Sequence, residues 1–134
     1  MKTEKVAEDR ERADFLETLS THRSFLRHTV RDLTDEQARQ RTTVSELCLG
    51  GLIKHVTRAE QRWADFIVRG PVAIGSGDEA AMKSHAAGFH MLEGETLAGL
   101  LENYDEVARR TDGLVASLPS LDASQPLPDA PWYK

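Results

Sequence analysis

What the chain lacks narrows it first. Cys48 is the only cysteine, which excludes an intramolecular disulfide and any zinc site built from several cysteines. Its neighbours Leu47 and Leu49 predict a buried, inert thiol rather than a reactive one. No apolar run approaches the roughly 20 residues of a membrane span, and the opening Met1-Lys2-Thr3-Glu4-Lys5 carries charge where a secretory leader has an apolar core. Positive charge is not in excess: 17 Lys and Arg against 22 Asp and Glu give a net charge of −5, which repels nucleic acid and anionic lipid at long range. The expectation is a soluble, cytoplasmic protein whose partners are neither nucleic acid nor membrane. There is no internal repeat, no Gly-rich phosphate loop before a helix, and no nucleophile-elbow context around Ser45, Ser76 or Ser84.

What is present reads as helix. The 134 residues fit one domain, 1–134. Phe15, Leu19, Leu26, Val30 and Leu33 fall on one stripe at helical spacing, which predicts a first helix over about Ala7 to Leu33. Thr34 and Gln37 have the form of a capping box, so Asp35 to Arg41 is expected as a short helical connector outside the core. Ser45 is the expected N-cap of a second long helix that Gly70-Pro71 stops. Its stripe is Cys48, Leu49, Leu52, Val56, Ala59, Trp63, Phe66 and Ile67. A connection follows, with Gly70, Gly75, Gly77 and Gly88 and one short helix near Asp78 to Ala87. A third long helix is expected from about Gly94 to Leu118, with Leu97, Leu100, Leu101, Tyr104, Ala108, Val115 and Leu118 inward. After it, Pro119, Pro126, Pro128 and Pro131 rule out regular helix. The short link after the first helix makes its neighbour antiparallel, and the long link after the second permits a parallel third, an up-down-down arrangement. Three such helices leave a groove for a fourth, and the aromatic pair Trp132-Tyr133 near the end is expected to precede more chain, so the domain reads as C-terminally incomplete.

Few residues could carry chemistry. His55 lies at the edge of the second helix's apolar stripe and faces a seam between helices. It is either a core-edge histidine or a neutral imidazole acting as metal ligand or base. Gly50-Gly51, one turn earlier, marks a place where something comes close, since glycine within a helix costs about 1 kcal/mol against alanine. A neighbouring helix or a ligand would both explain it. His22, one turn from Leu19 and Leu26, is placed on the apolar side of the first helix, where it could face the same interior as His55. His28 falls on the polar side. His85 and His90 are five apart, which is not the spacing of a helical chelate. Glu93 and Glu95 complement a helix dipole, and Lys54, Arg58, Arg62 and Arg69 form a basic strip on the outer face of the second helix.

Three strings carry a family resemblance: Leu33-Thr34-Asp35-Glu36-Gln37-Ala38-Arg39; Leu49-Gly50-Gly51-Leu52-Ile53-Lys54-His55-Val56 with Glu60, Arg62 and Trp63; and Glu93-Gly94-Glu95-Thr96-Leu97. Over nearly its whole length the chain resembles the DinB-like superfamily of four-helix bundles, in its branch of mycothiol-dependent transferases and maleylpyruvate isomerases. The implied fold is all-α, an up-down-down-up four-helix bundle whose fourth helix is missing from this chain. The resemblance also implies a divalent metal, nickel or zinc, held by three histidines. One of them maps onto His55; the other two form a His-x-x-x-His pair on the fourth helix, which this sequence does not contain. Mycothiol is the implied thiol, and it would attack a small electrophile as the thiolate.

Two function classes therefore stand. The first is a metal-dependent, thiol-using transferase, isomerase or hydrolase acting on small electrophiles. The second is a non-catalytic helical module that binds a ligand or dimerises around a decayed metal site. Without a covering fourth helix, exposed apolar surface leads to the expectation of a homodimer.

Overall fold

Helix α1 (Lys2–Thr29) begins in a charged segment. There Arg12 pairs with Glu8 at 2.6 Å and also donates to the Val115 carbonyl at 2.6 Å. It ends at Thr29, and three residues on the turn is completed by Asp32 at a left-handed φ of 59°, a conformation that aspartate tolerates better than most side chains. The capping box forms as expected: Thr34 Oγ1 accepts from the Gln37 amide, and Gln37 Oε1 accepts from the Thr34 amide. It opens α2 (Asp35–Arg39). The computed structural model describes residues 1–74 and 79–129, without the side chain of Glu79. The expectations placed on Gly75, Ser76 and Gly77, and on Pro131, Trp132 and Tyr133, lie outside the described residues.

Helix α3 (Leu49–Arg69) starts three residues later than Ser45 would have set it. The cap is Cys48, whose Sγ accepts from the Gly51 amide at 3.2 Å. Arg69 is its last residue because Gly70 turns away at φ 75°, a region that suits glycine. A 3₁₀ turn (Gly70–Ile74) and the short helix α4 (Glu79–Ala87) follow. Helix α5 (Leu97–Ser117) is capped by Thr96 and by Asp35, whose Oδ1 accepts from the Leu97 amide at 2.8 Å.

Long-range contacts give the directions. Lys54 meets Glu95 near the starts of α3 and α5, while Asp65 meets Arg110 and the Ile67 carbonyl meets Gln125 near their ends, so these helices are parallel. Arg12 against Val115 and Arg27 over Tyr104 set α1 antiparallel to α5. The expected up-down-down order is the order found, and the class is all-α. Among the described residues no fourth long helix follows α5. None of the described helices is long and apolar enough to cross a membrane.

The core gathers at one end of the bundle, from Val30, Ala38, Cys48, Ile53, Met91, Leu97, Leu100 and Tyr104, with Leu26, Leu33, Val56 and Leu101 against it. Two expectations are corrected here. α2 is not outside the core, because Ala38 is fully buried and Asp35 holds the start of α5. The buried face of α3 is Gly50, Ile53, Thr57 and Ala64, about a third of a turn from the expected stripe. Thr57 is tolerated inside because its hydroxyl donates to the Ile53 carbonyl at 2.7 Å. The expected stripe of α3 stays half covered, with Trp63 48 % exposed.

Candidate functional site

The site is built on the first half of α3 and on the chain that crosses it. Gly50 and Gly51 leave α3 without side chains where residues 89–91 pass. A Cβ on Gly51 would lie on the Phe89 carbonyl, and one on Gly50 on the Met91 thioether. Helix α2 also comes near, with the Ala38 carbonyl 3.3 Å from a Cβ on Gly50, but the closest neighbour of the glycine pair is the connection before α5. That contact brings Phe89 onto His55, ring on ring, at 5.0 Å between centroids and 25° between planes. His85 stands edge-on to both, 5.9 Å from His55 and 4.9 Å from Phe89.

His55, His85, Arg58, Arg62 and Asp65 line a cavity of about 340 Å³ with Ser84 and Gly88 at its side. Arg58 is held in place by donating to the Ser84 carbonyl at 2.7 Å. Asp65, the one carboxylate in the lining among the described residues, already pairs with Arg110 at 2.6 Å. A second cavity of about 460 Å³, lined by Phe15, Phe66, Ile67, Val115, Leu118 and Leu121, is larger but has no titratable side chain. Chemistry belongs to the first.

Beneath the cavity the strip of basic residues is broken. Lys54 is not on the outer face: it is buried, and its ammonium donates to Glu95 at 2.9 Å and to the His90 carbonyl at 3.4 Å. Glu95 does more than complement a helix dipole, since it also accepts from the Leu92 amide at 2.6 Å. Burial pushes the Glu95 carboxyl up. The Leu92 amide, the Lys54 ammonium and the Arg58 guanidinium outweigh it and hold the group below its ordinary range. The link between Lys54 and Glu95 fixes the connection that carries Phe89 over His55.

The other expected residues are scattered. His22 does not face the interior; it is exposed and stands edge-on to the exposed Phe25. The residue buried there is its neighbour Arg23, which reaches Glu60 on α3 at 2.9 Å and Asp112 on α5 at 2.7 Å. His28 is exposed beside Arg31, as its polar position predicts. His90 lies 3.5 Å from Glu46 at the surface. Cys48 is buried, as its leucine neighbours indicate. The spacing of His85 and Phe89, i and i+4 around the end of α4, was the available signal for the cluster on His55.

These donors do not make a metal centre by themselves. His55 and His85 supply two imidazoles, and among the described residues no group of three or more His, Cys, Asp or Glu is placed to hold an ion. A structural zinc site closes with four ligands and a catalytic one with three. The described set does not fit a metal centre of either kind.

The family model described as Mycothiol-S-transferase matches residues 14–134. No curated protein and no solved structure matches the chain.

Proposed function

The chain belongs to the mycothiol-S-transferase family, and from that premise we propose that it transfers the sulfur of mycothiol to a small electrophile in the cavity beside His55. One observation carries the reading: the histidine of the family-like string is the one that the glycine pair and Phe89 set at the wall of a cavity lined with arginines. In this reading the His55 imidazole accepts the proton of the bound thiol. The sulfur's electron pair then forms the carbon–sulfur bond. In a substitution the leaving group departs with the pair of the broken bond; in an addition the proton on His55 goes to the adjacent carbon. A free thiol titrates near pH 8.5, and nearby guanidinium groups favour the thiolate. Arg58 and Arg62 are close enough in the lining to supply that field.

The test is conjugate formation by the full chain with mycothiol and an α,β-unsaturated carbonyl, followed by mass spectrometry. The expected result is product above the uncatalysed rate, reduced about 10²- to 10⁴-fold in His55→Ala, the range of a lost general base. Equal rates with and without the protein would sink the reading. Repeating the assay with added nickel or zinc and with a chelator tests the metal-ligand role expected of His55. A gain on metal that vanishes in His55→Ala would restore it.

The incomplete donor set favours a second reading, a helical module that binds ligand without chemistry. Its distinguishing outcome is binding of mycothiol with no conjugate. Homodimerisation is proposed with either reading, on the exposed Phe15, Phe25 and Trp63. Sedimentation at two protein concentrations would measure it, and a monomer at both would remove it.

A further inference from the structure

The electrophile can be narrowed by the charge that the cavity leaves unanswered. Its lining holds two guanidinium groups, Arg58 and Arg62, beside the imidazoles of His55 and His85. Among the described residues the lining sets one carboxylate against these, Asp65, which Arg110 already engages from α5, while Glu95 attracts Arg58 from outside the lining. Arg58 is anchored by the Ser84 carbonyl, which orients the guanidinium without neutralising it. Arg62 stands exposed at the rim, with no ion-pair or hydrogen-bond partner among the described residues. The volume of about 340 Å³ is at the small end of ligand pockets. A cleft with guanidinium groups along its wall and rim raises the local concentration of anions.

We propose that this cavity binds a small electrophile bearing a carboxylate, with Arg62 as its anchor and Arg58 as a second, pre-oriented cation. The inference rests on the transferase reading for the word electrophile, and on the lining alone for the carboxylate. Guanidinium groups match carboxylates with paired, parallel hydrogen bonds, which a lysine in the same place would not reproduce. Arg58 and Arg62 lie one and two turns along α3 from His55, about 5 and 10 Å by helical rise. A carboxylate held there leaves the reactive carbon of a short acid at His55, whereas a long-chain acid would overrun the cavity. Thiolate could use the same field, so the carboxylate has to be tested without thiol.

The probes are succinate and its uncharged analogue succinamide, added to the full chain while the imidazole resonances of His55 and His85 are followed by NMR. Succinate should shift both in a saturable way that weakens with salt, and succinamide should not. Arg62→Gln should loosen succinate about tenfold, the usual scale for losing a charge-assisted hydrogen bond, and Arg62→Lys should recover only part of it. An equal response to both probes, or succinate binding unchanged in Arg62→Gln, would overturn the proposal. So would a response that needs added thiol, which would assign the field to the thiolate. The failures are separable: succinate binding without conjugate formation defeats the transferase reading and leaves the anion site, while conjugation of neutral electrophiles without succinate binding does the reverse.

Discussion

Gly50 and Gly51 are adjacent and chemically identical, yet they differ in what an added methyl group would meet. At Gly50 it meets Sδ and Cγ of the Met91 side chain and, at 3.3 Å, the Ala38 carbonyl, and the flexible thioether can be repacked where a backbone cannot. Alanine there also gains about 1 kcal/mol of helix propensity, so Gly50→Ala should change stability by less than about 1 kcal/mol. At Gly51 the methyl meets the backbone carbonyl of Phe89, which can move only if the whole crossing segment moves. Gly51→Ala should lose about 1–3 kcal/mol, the scale of an overpacked core, in urea unfolding. It should also lift Phe89 off His55, which the His55 ring resonances would register as a lost ring-current shift. Equal stability of the two variants would refute the account of the crossing. Glu95 adds a pH dependence to the same segment. Its folded-state pKa is held below the unfolded value, so protonation favours the unfolded chain. The stabilisation is whole above the ordinary carboxylate range, near pH 4.5, and is lost as the pH falls through the lowered value. Unfolding midpoints measured down a pH series should show this acid loss in the natural chain and less of it in Glu95→Gln.

At the scale of elements, the short α2 has an importance that its length hides. Asp35 begins that helix and its carboxylate also accepts from the first amide of α5. Asp35→Ala should therefore cost about 1 kcal/mol, as for the loss of an N-cap, and Asp35→Asn should keep most of that stability; thermal unfolding would read both. Sequence showed that α2 exists, because a capping box is local: Thr34 and Gln37 need only each other. It could not show the reach of Asp35, whose partner is 62 residues away. The same division runs through α3. Its apolar stripe was legible as a period, but which part of a broad stripe is covered depends on where α5 lies, and α5 covers the face of Ile53 and Thr57. His55 could be singled out from its string, whereas the crossing of Phe89 over it depends on the long connection's path. His22 and Arg23 make the point on α1. A one-residue step turns a helix by 100°, so the inward residue is the long, charged Arg23, which finds partners on both other helices.

At the scale of the whole molecule, Arg23 ties α1 to both α3 and α5, through Glu60 and Asp112. Burial works against its charge, and hydrogen bonds and attraction from the two carboxylates more than compensate, so its pKa rises. Burial, joined by the charge of Glu60, raises the pKa of the Tyr104 hydroxyl, and the Glu60 side chain is itself mostly buried. The pairing is nevertheless incomplete, since Arg23 Nε and Glu60 Oε2 are buried without a hydrogen-bond partner. Such a cluster contributes less than its contacts suggest while it is intact, and much more is lost when one member is removed. Arg23→Met should lose about 2–3 kcal/mol, because it leaves Glu60 charged and unpaired inside; the half-exposed Asp112 can turn to solvent and adds little. Arg23→Met with Glu60→Leu should regain most of that loss, since two apolar side chains replace two desolvated charges. Urea unfolding of the two single variants and the double variant closes the cycle. Additive losses would mean that the two residues do not act through each other, and that α1 is held to α3 by packing alone. A strong recovery would make Arg23 a device for choosing how α1 sits on the other two helices, and its removal should then also alter the groove lined by Phe15, Phe66 and Ile67.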